Sequence, residues 1–322
     1  MKEVPAQFVV VTPVYEDIEA CSKLFSELSS SYGSDNFNVV AVDDGSIYEP
    51  LDLSAFNQAG INGVIIKLKH NIGHQRAIAV GLSYVADHAS DAKHIIVMDS
   101  DGEDTPASIE ILLDAIESPN VDIVVSERKS RVETVKFILF YIGYKKLFRL
   151  LTGRTISFGN FMAIKQSALK RLVAMPEIWT HIAGCVLFSK LRVKKRPIDR
   201  GPRYAGKSKM RFVNLALHGF KGLMIFSEDV LVRVGIACAS VAILSIIGMV
   251  LAIVLKLFGI ATPGWFSIAL GILFLVFLQT GALTLISLLL TGMVKGGTPV
   301  GKIGYQELID TVIYAHPGRD SD

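Results

Sequence analysis

The sequence predicts an α/β domain built on a doubly wound parallel sheet, followed by a transmembrane hairpin of two helices. Three observations predict it. The first ~130 residues alternate short β-rich runs with stretches of helical periodicity. Four successive strand candidates end in polar or glycine-bearing loops, which places those loops on one edge of a parallel sheet. The last third of the chain holds two long stretches without charge, each long enough to cross the ~30 Å of a bilayer core.

The elements follow in order. Gln7–Thr12 is a β-branched run that leads into Pro13-Val14-Tyr15-Glu16. Asp17–Tyr32 has helical spacing, with Ile18, Cys21, Leu24, Phe25 and Leu28 on one side. Asn38–Val42 reads as a strand that ends in Asp43-Asp44-Gly45-Ser46. Gly63–Leu68 is a third strand, followed by His70-Asn71-Ile72-Gly73 and a helix over His74–Asp87. His94–Met98 is a fourth, ending in Asp99-Ser100-Asp101-Gly102-Glu103-Asp104. A helix near Pro106–Glu117 and a strand over Val121–Val125 complete the alternation. Val135–Leu151 mixes large apolar residues with Lys145, Lys146 and Arg149, the pattern of a helix lying in a membrane interface or of an amphipathic helix packed on the core. Arg211–Val232 has the same mixture.

The mean hydropathy of +0.44 over 322 residues comes largely from the C-terminal third. No charge occurs between Arg233 and Lys256, or between Lys256 and Lys295. These stretches predict transmembrane helices near 233–256 and 265–294, with Pro263-Gly264 in the connecting turn. Residues 1–211 form the preceding domain, 212–232 an interfacial helix and 295–322 a C-terminal tail whose role the sequence does not reveal. Lys207, Lys209, Arg211, Lys221 and Arg233 precede the pair, and Lys295 and Lys302 follow it. The positive-inside rule therefore predicts a multi-pass protein of the cell (inner) membrane, with the domain and both termini cytoplasmic. The first apolar run, Phe8–Val11, is too short for a signal-peptide core. Cys21, Cys185 and Cys238 are odd in number and far apart, which suits reduced thiols. A net charge of +3 offers nothing for a nucleic-acid partner. Its clustering beside the spans suits a lipid surface.

Asp99-Ser100-Asp101 carries the chemistry. Two carboxylates at the carboxyl end of a strand supply hard oxygen ligands. Mg²⁺ is commonly held by one or two carboxylates together with substrate phosphates. An acidic surface turn is the plain alternative for that segment alone. The four strand tips in series argue against it.

In these residues the sequence resembles the family-2 glycosyltransferases, and among them the polyprenyl-phosphate group of the dolichol-phosphate mannose synthase and GtrB types. The resemblance lies in the Pro13-Val14-Tyr15 turn, the Asp43-Asp44-Gly45-Ser46 tip, the Asn71-x-Gly73 loop and Asp99-Ser100-Asp101-x-Glu103. It continues in Arg128 and Arg131, in Arg203-x-x-Gly206-x-Ser208-Lys209, and in Phe226-Ser227 before the first span. It implies a GT-A (Rossmann-like) nucleotide-sugar domain. It also implies transfer of one sugar, with inversion, from a UDP- or GDP-linked donor to undecaprenyl or another polyprenyl phosphate. Pro13, Tyr15, Glu16, Asp43, Asp44, Asn71, Gly73, Asp99 and Ser100 would contact the nucleotide-sugar. Asp99, Asp101 and Glu103 would hold Mg²⁺ or Mn²⁺, with Asp101 also the leading catalytic residue. Arg128, Arg131, Arg203, Ser208 and Lys209 would grip the lipid phosphate, guanidinium groups matching phosphate oxygens in pairs.

One residue departs from the pattern. Many relatives carry an Asp-Phe-Arg-like segment whose aspartate is a proposed base. Here Ser157-Phe158-Gly159-Asn160-Phe161 stands in that place, and the Asn160 amide is no base at neutral pH. An already ionised phosphate acceptor needs orientation more than deprotonation. A glycan-polymerising synthase and a weakly catalytic membrane protein that binds nucleotide-sugar or lipid as a regulator stand as alternatives. Homo-oligomerisation is left open by the sequence.

Overall fold

The computed structural model describes residues 7–89, 91–128, 135–204, 212–260, 262, 264–296 and 304–316. They form two compact units. One holds the described residues within 1–138, 156–225 and 299–322, the other those within 139–155 and 226–298.

The first unit is a three-layer α/β/α domain. Its strands are β1 (Phe8–Val14), β2 (Phe37–Asp43), β3 (Gly63–Leu68), β4 (His94–Val97), β5 (Ile123–Arg128), β6 (Phe158–Lys165), β7 (Val193–Ile198) and β8 (Ile309–Ala315). They lie in the order β7-β5-β6-β4-β1-β2-β3-β8. Strands β1 to β4 pair in parallel, as alternation with helices predicts. The sheet is mixed rather than wholly parallel. β6 runs antiparallel between β4 and β5, and β8 runs antiparallel along β3. This is a GT-A-like arrangement.

Period-2 alternation sends successive side chains to opposite faces. Val9 and Val11 of β1 face one side, with α3 (His74–His88), α6 (Gln166–Val173) and α7 (Ile182–Phe188). Phe8 and Val10 face the other, with α1 (Ile18–Tyr32), α2 (Leu53–Ala59) and α4 (Ile109–Ile116). Both faces are therefore covered, which is why β1 and β4 are mostly apolar and buried along their whole length.

The C-terminal segment, unassigned from sequence, completes this sheet. After a short helix over Tyr305–Leu308, β8 pairs with β3 from Leu68↔Ile309 to Gly63↔Ala315. The Lys69 backbone N–H donates to the Leu308 carbonyl at 3.0 Å, and the Tyr305 hydroxyl to Asp87 Oδ2 at 2.9 Å.

Between β5 and β6 runs α5 (Val135–Thr152), and after β7 comes α8 (Phe212–Met224). On α8, Leu217, Phe220 and Met224 are exposed at i, i+3 and i+7, an apolar stripe along one face.

The second unit holds α9 (Ser227–Leu257) and α10 (Trp265–Gly296) packed as a hairpin. Ser227–Leu257 and Trp265–Leu290 are long and apolar enough to cross a membrane. Small residues line the contact. A Cβ on Gly235 would sit 3.5 Å from Ser287 Cβ, and Ala242, Ser245 and Ala252 are buried on the same helix. Close approach over small side chains is how apolar helices associate without a hydrophobic drive. The end of α5 packs against the start of α9. Phe148 meets Phe226 edge-on at 5.8 Å, the Arg154 guanidinium lies 4.9 Å over the same ring, and Arg233 Nη1 donates to the Leu150 carbonyl.

Candidate active site

The carboxyl ends of β1, β2, β3 and β4 converge on one sheet edge and are tied to one another. Each tie follows from an unsatisfied backbone group at a strand end. Asp43 and Asp44, the last residue of β2 and the one after it, are both buried. Asp43 accepts from the backbone N–H of Ser46 at 2.9 Å and of Leu51 at 3.0 Å, which closes the 44–51 loop. Asp44 accepts from Ile72 N at 2.8 Å and Gly73 N at 3.0 Å, which fastens the tip of β2 to the loop after β3. Burial raises the Asp44 pKa, against the pull of those two amides. Gly45 makes the approach possible. It has φ +73°, and a Cβ there would fall 2.6 Å from the His70 carbonyl carbon.

Glu16 follows β1 in a left-handed conformation, φ 47°, unusual for a residue with a side chain. Its carboxylate accepts from the backbone N–H groups of Ile47, Tyr48 and Glu49, and its own N–H donates to Ser46 Oγ. Glu16 thus shapes the 46–49 loop, leaving the Tyr15 ring as the exposed group of the β1 tip. Pro13 lies within β1, and its carbonyl accepts from Ser100 Oγ at 3.2 Å, tying β1 to the β4 tip.

After β4 the loop folds on itself. Asp104 Oδ2 accepts from the Asp99 N–H and Asp101 Oδ1 from the Glu103 N–H. Asp101 Oδ2 lies 2.8 Å from Arg203 Nη2, Glu103 Oε1 lies 3.0 Å from Arg203 Nε, and Glu103 Oε2 pairs with Arg200. Burial, then repulsion from Asp99, raises the Asp101 pKa despite Arg203 and Arg200. Gly102 has φ +88°, and the Tyr204 ring occupies the space a Cβ would need.

Asn160 meets this loop through α3. The Ile182 N–H can only donate, so Gln75 Oε1 accepts it at 2.8 Å and Gln75 Nε2 donates to Asn160 Oδ1 at 3.0 Å. That relay fixes the Asn160 amide with its NH₂ toward His74 Nε2, 3.0 Å away. The same nitrogen is 3.2 Å from Asp99 Oδ1; it accepts from the Asn160 NH₂ when it carries no proton and donates to Asp99 when it does, so the imidazole serves β6 or the β4 tip in turn. Burial works against the His74 imidazolium, but Asp99, then Asp101 and Asp44, outweigh it and raise the His74 pKa.

The structure therefore brings together Pro13, Tyr15, Glu16, Asp43, Asp44, Asn71, Gly73, Asp99, Ser100, Asp101, Glu103, Asn160 and Arg203. Arg128 ends β5. Arg131, Ser208 and Lys209 lie outside the described residues. His74, Gln75 and Arg200 belong to the same constellation and were not singled out from sequence. The signals were present: His74 and Gln75 open the helix after Gly73, and Arg200 stands three residues before Arg203.

Three carboxylates on one loop are the right donor chemistry for a hard divalent cation. Among the described residues no three acidic, His or Cys side chains converge as a ready cage, and arginines pair with the oxygens of Asp101 and Glu103. The ligand set fits a cation, and its present counter-ions are guanidinium groups.

Residues 9–188, more than half of the chain, match the glycosyl transferase family 2 model. The chain belongs to glycosyl transferase family 2 and is a glycosyltransferase. It is 25% identical over 293 residues to the uncharacterized glycosyltransferase YkoT of Bacillus subtilis (strain 168), covering 87% of this chain and 85% of that one. It is 25% identical over 275 residues to the putative glycosyltransferase CsbB of the same strain, covering 84% and 79%. Among solved structures, glucosyl-3-phosphoglycerate synthase from Mycobacterium tuberculosis, in complex with Mn²⁺, UDP and glucosyl-3-phosphoglycerate, superposes with a TM-score of 0.48 at 14% identity. That superposition covers 71% of this chain and 80% of the other.

Proposed function

We propose that this glycosyltransferase moves a single sugar from a UDP- or GDP-linked donor to polyprenyl phosphate at the cytoplasmic face of the cell membrane, with inversion and dependence on Mg²⁺ or Mn²⁺. The observation that carries the reading is one chain holding both an acidic β4 tip, tied to the tips of β1, β2 and β3, and a two-helix apolar hairpin. A soluble acceptor would give the hairpin no purpose. A lipid phosphate sits at the surface where such a hairpin would hold the domain.

In this reading Tyr15 offers its exposed ring to the nucleobase, while Asp43, Asp44 and Glu16 hold the surrounding loops in shape. Asp99, Asp101 and Glu103 hold the cation. When bound it neutralises charge developing on the departing nucleoside diphosphate. Arg128, Arg131, Arg203, Ser208 and Lys209 would supply the groups that bind the acceptor phosphate, Arg203 after leaving Asp101 and Glu103. Asn160, its NH₂ group directed by Gln75, orients rather than deprotonates. The stripe of Leu217, Phe220 and Met224 lies against lipid. The pairing of β8 with β3 supports an even number of crossings. An odd number would leave β8 across the membrane from the strand it pairs with. Both termini are then cytoplasmic.

The test uses the full-length protein in detergent with radiolabelled nucleotide-sugars and undecaprenyl phosphate. A lipid carrying one sugar, lost with EDTA and in Asp101→Ala, is the expected product. A polymer would replace the reading with a synthase. No product with any donor would replace it with a binding protein.

A further inference from the structure

The segment after β7 is fastened over the loop after β4 at several points. Arg203 spans Asp101 and Glu103, and Arg200 takes the other Glu103 oxygen. The Gly201 N–H donates to the Glu103 carbonyl at 3.0 Å and the Tyr204 N–H to the Asp101 carbonyl at 2.9 Å. The Tyr204 ring lies on Gly102, its hydroxyl donates to Glu27, and Lys23 Nζ sits 4.8 Å above the ring.

All four carboxylate oxygens of Asp101 and Glu103 already have a donor. Asp101 Oδ1 accepts the Glu103 N–H and Oδ2 takes Arg203. Glu103 Oε1 takes Arg203 and Oε2 takes Arg200. A second lone pair remains on each oxygen. A doubly charged cation using it would nevertheless sit within about 4 Å of a guanidinium group, where like charges repel by several kcal/mol at an effective dielectric near 20. Two arginines and one divalent cation carry the same charge and claim the same oxygens.

We propose that Arg200 and Arg203 are built-in counter-ions that latch residues 200–204 over the Asp101–Glu103 pair, and that a divalent cation loads there only by displacing them and loosening that segment. This rests on the reading of Asp101 and Glu103 as cation ligands. It makes Arg200 a positioning residue for the proposed reaction. It also means that Arg203 turns to a phosphate only after the cation has arrived, so one guanidinium group reports donor-site loading to the acceptor side.

The test measures Mn²⁺ binding without substrate, on the full-length protein in detergent, by electron paramagnetic resonance of the free ion. Arg200→Gln and Arg203→Gln should each lower the Kd for Mn²⁺ at least fivefold, although each removes a group from the site. Asp101→Asn should raise it at least tenfold. Unchanged or weaker binding in both arginine variants, with binding lost in Asp101→Asn, would overturn the latch and keep the cation site. Unaltered binding in Asp101→Asn would remove the cation site itself. Hydrogen exchange on the unmodified protein gives an independent reading. The amides of Gly201 and Tyr204 should exchange at least tenfold faster with saturating Mn²⁺, and equal or slower exchange would overturn the latch.

Discussion

Asp44→Asn tests whether the edge of the sheet is assembled by backbone ties. The native carboxylate accepts two bonds, from Ile72 N at 2.8 Å and Gly73 N at 3.0 Å, and the residue is 2% exposed. An asparagine keeps one accepting oxygen and turns an NH₂ group toward the other amide. The change loses one hydrogen bond to a charged acceptor, about 1.5–3 kcal/mol, and leaves a buried N–H facing a donor, about 1–3 kcal/mol. Against this, the neutral amide avoids the burial cost that raises the Asp44 pKa. A net loss of about 2–3 kcal/mol follows, which for a domain of this size lowers Tm by roughly 4–12 °C. Thermal unfolding of the full-length protein in detergent measures the loss, and hydrogen exchange at Ile72 and Gly73 locates it. A Tm within 1 °C of the parent, with unchanged exchange at both amides, would refute the account of how these loops are joined.

Asn160→Asp should leave the turnover rate within about tenfold, roughly 1.4 kcal/mol in barrier. A rise of ~10²-fold would show that a missing base limits the enzyme. Asp122 accepts from the Arg192 backbone N–H, Nε and Nη2, and these side-chain bonds lower its pKa to about 2. Its folded pKa lies below the unfolded value of ~3.9. Its contribution is therefore present above that value and is lost as pH falls toward about 2. Asp122→Asn should flatten the Tm-against-pH curve in that window, and parallel curves would refute it. A cysteine at Thr262 should label from outside intact cells and one at Asp310 only after lysis. External labelling at Asp310 would contradict the cytoplasmic C-terminus.

The first four strands and their tips were legible because each strand is a short apolar run ending in residues with a turn or a charge to offer. β7 was not legible. Val193-Lys-Lys-Arg-Pro-Ile is an edge strand carrying three cations and a proline, the composition that protects an exposed edge and masks its identity. Ile309–Ala315 carries β-rich residues, yet it follows two apolar helices and so reads as a tail. Its partner β3 lies some 240 residues away, beyond the reach of any local pattern. In the candidate site the carboxylates were legible by spacing, whereas their partners were not. Arg203 was expected at a phosphate and is found on Asp101 and Glu103, because the loop after β4 and the segment after β7 meet only in three dimensions. Gln75 was hidden for the same reason. Its role depends on the Ile182 N–H, more than a hundred residues along the chain.

The return of the chain as β8 sets an order on the protein's making. A ribosome delivers β1 to β7 first, then the two apolar helices, and only after them the strand that covers β3. Until then β3 shows an open edge, with its backbone donors and acceptors unpaired. A nascent chain that stalls within the hairpin therefore cannot finish its catalytic domain, however well the first two hundred residues have folded. The last strand works as a signature on delivery: the sheet closes only around a chain that has been made past its hairpin.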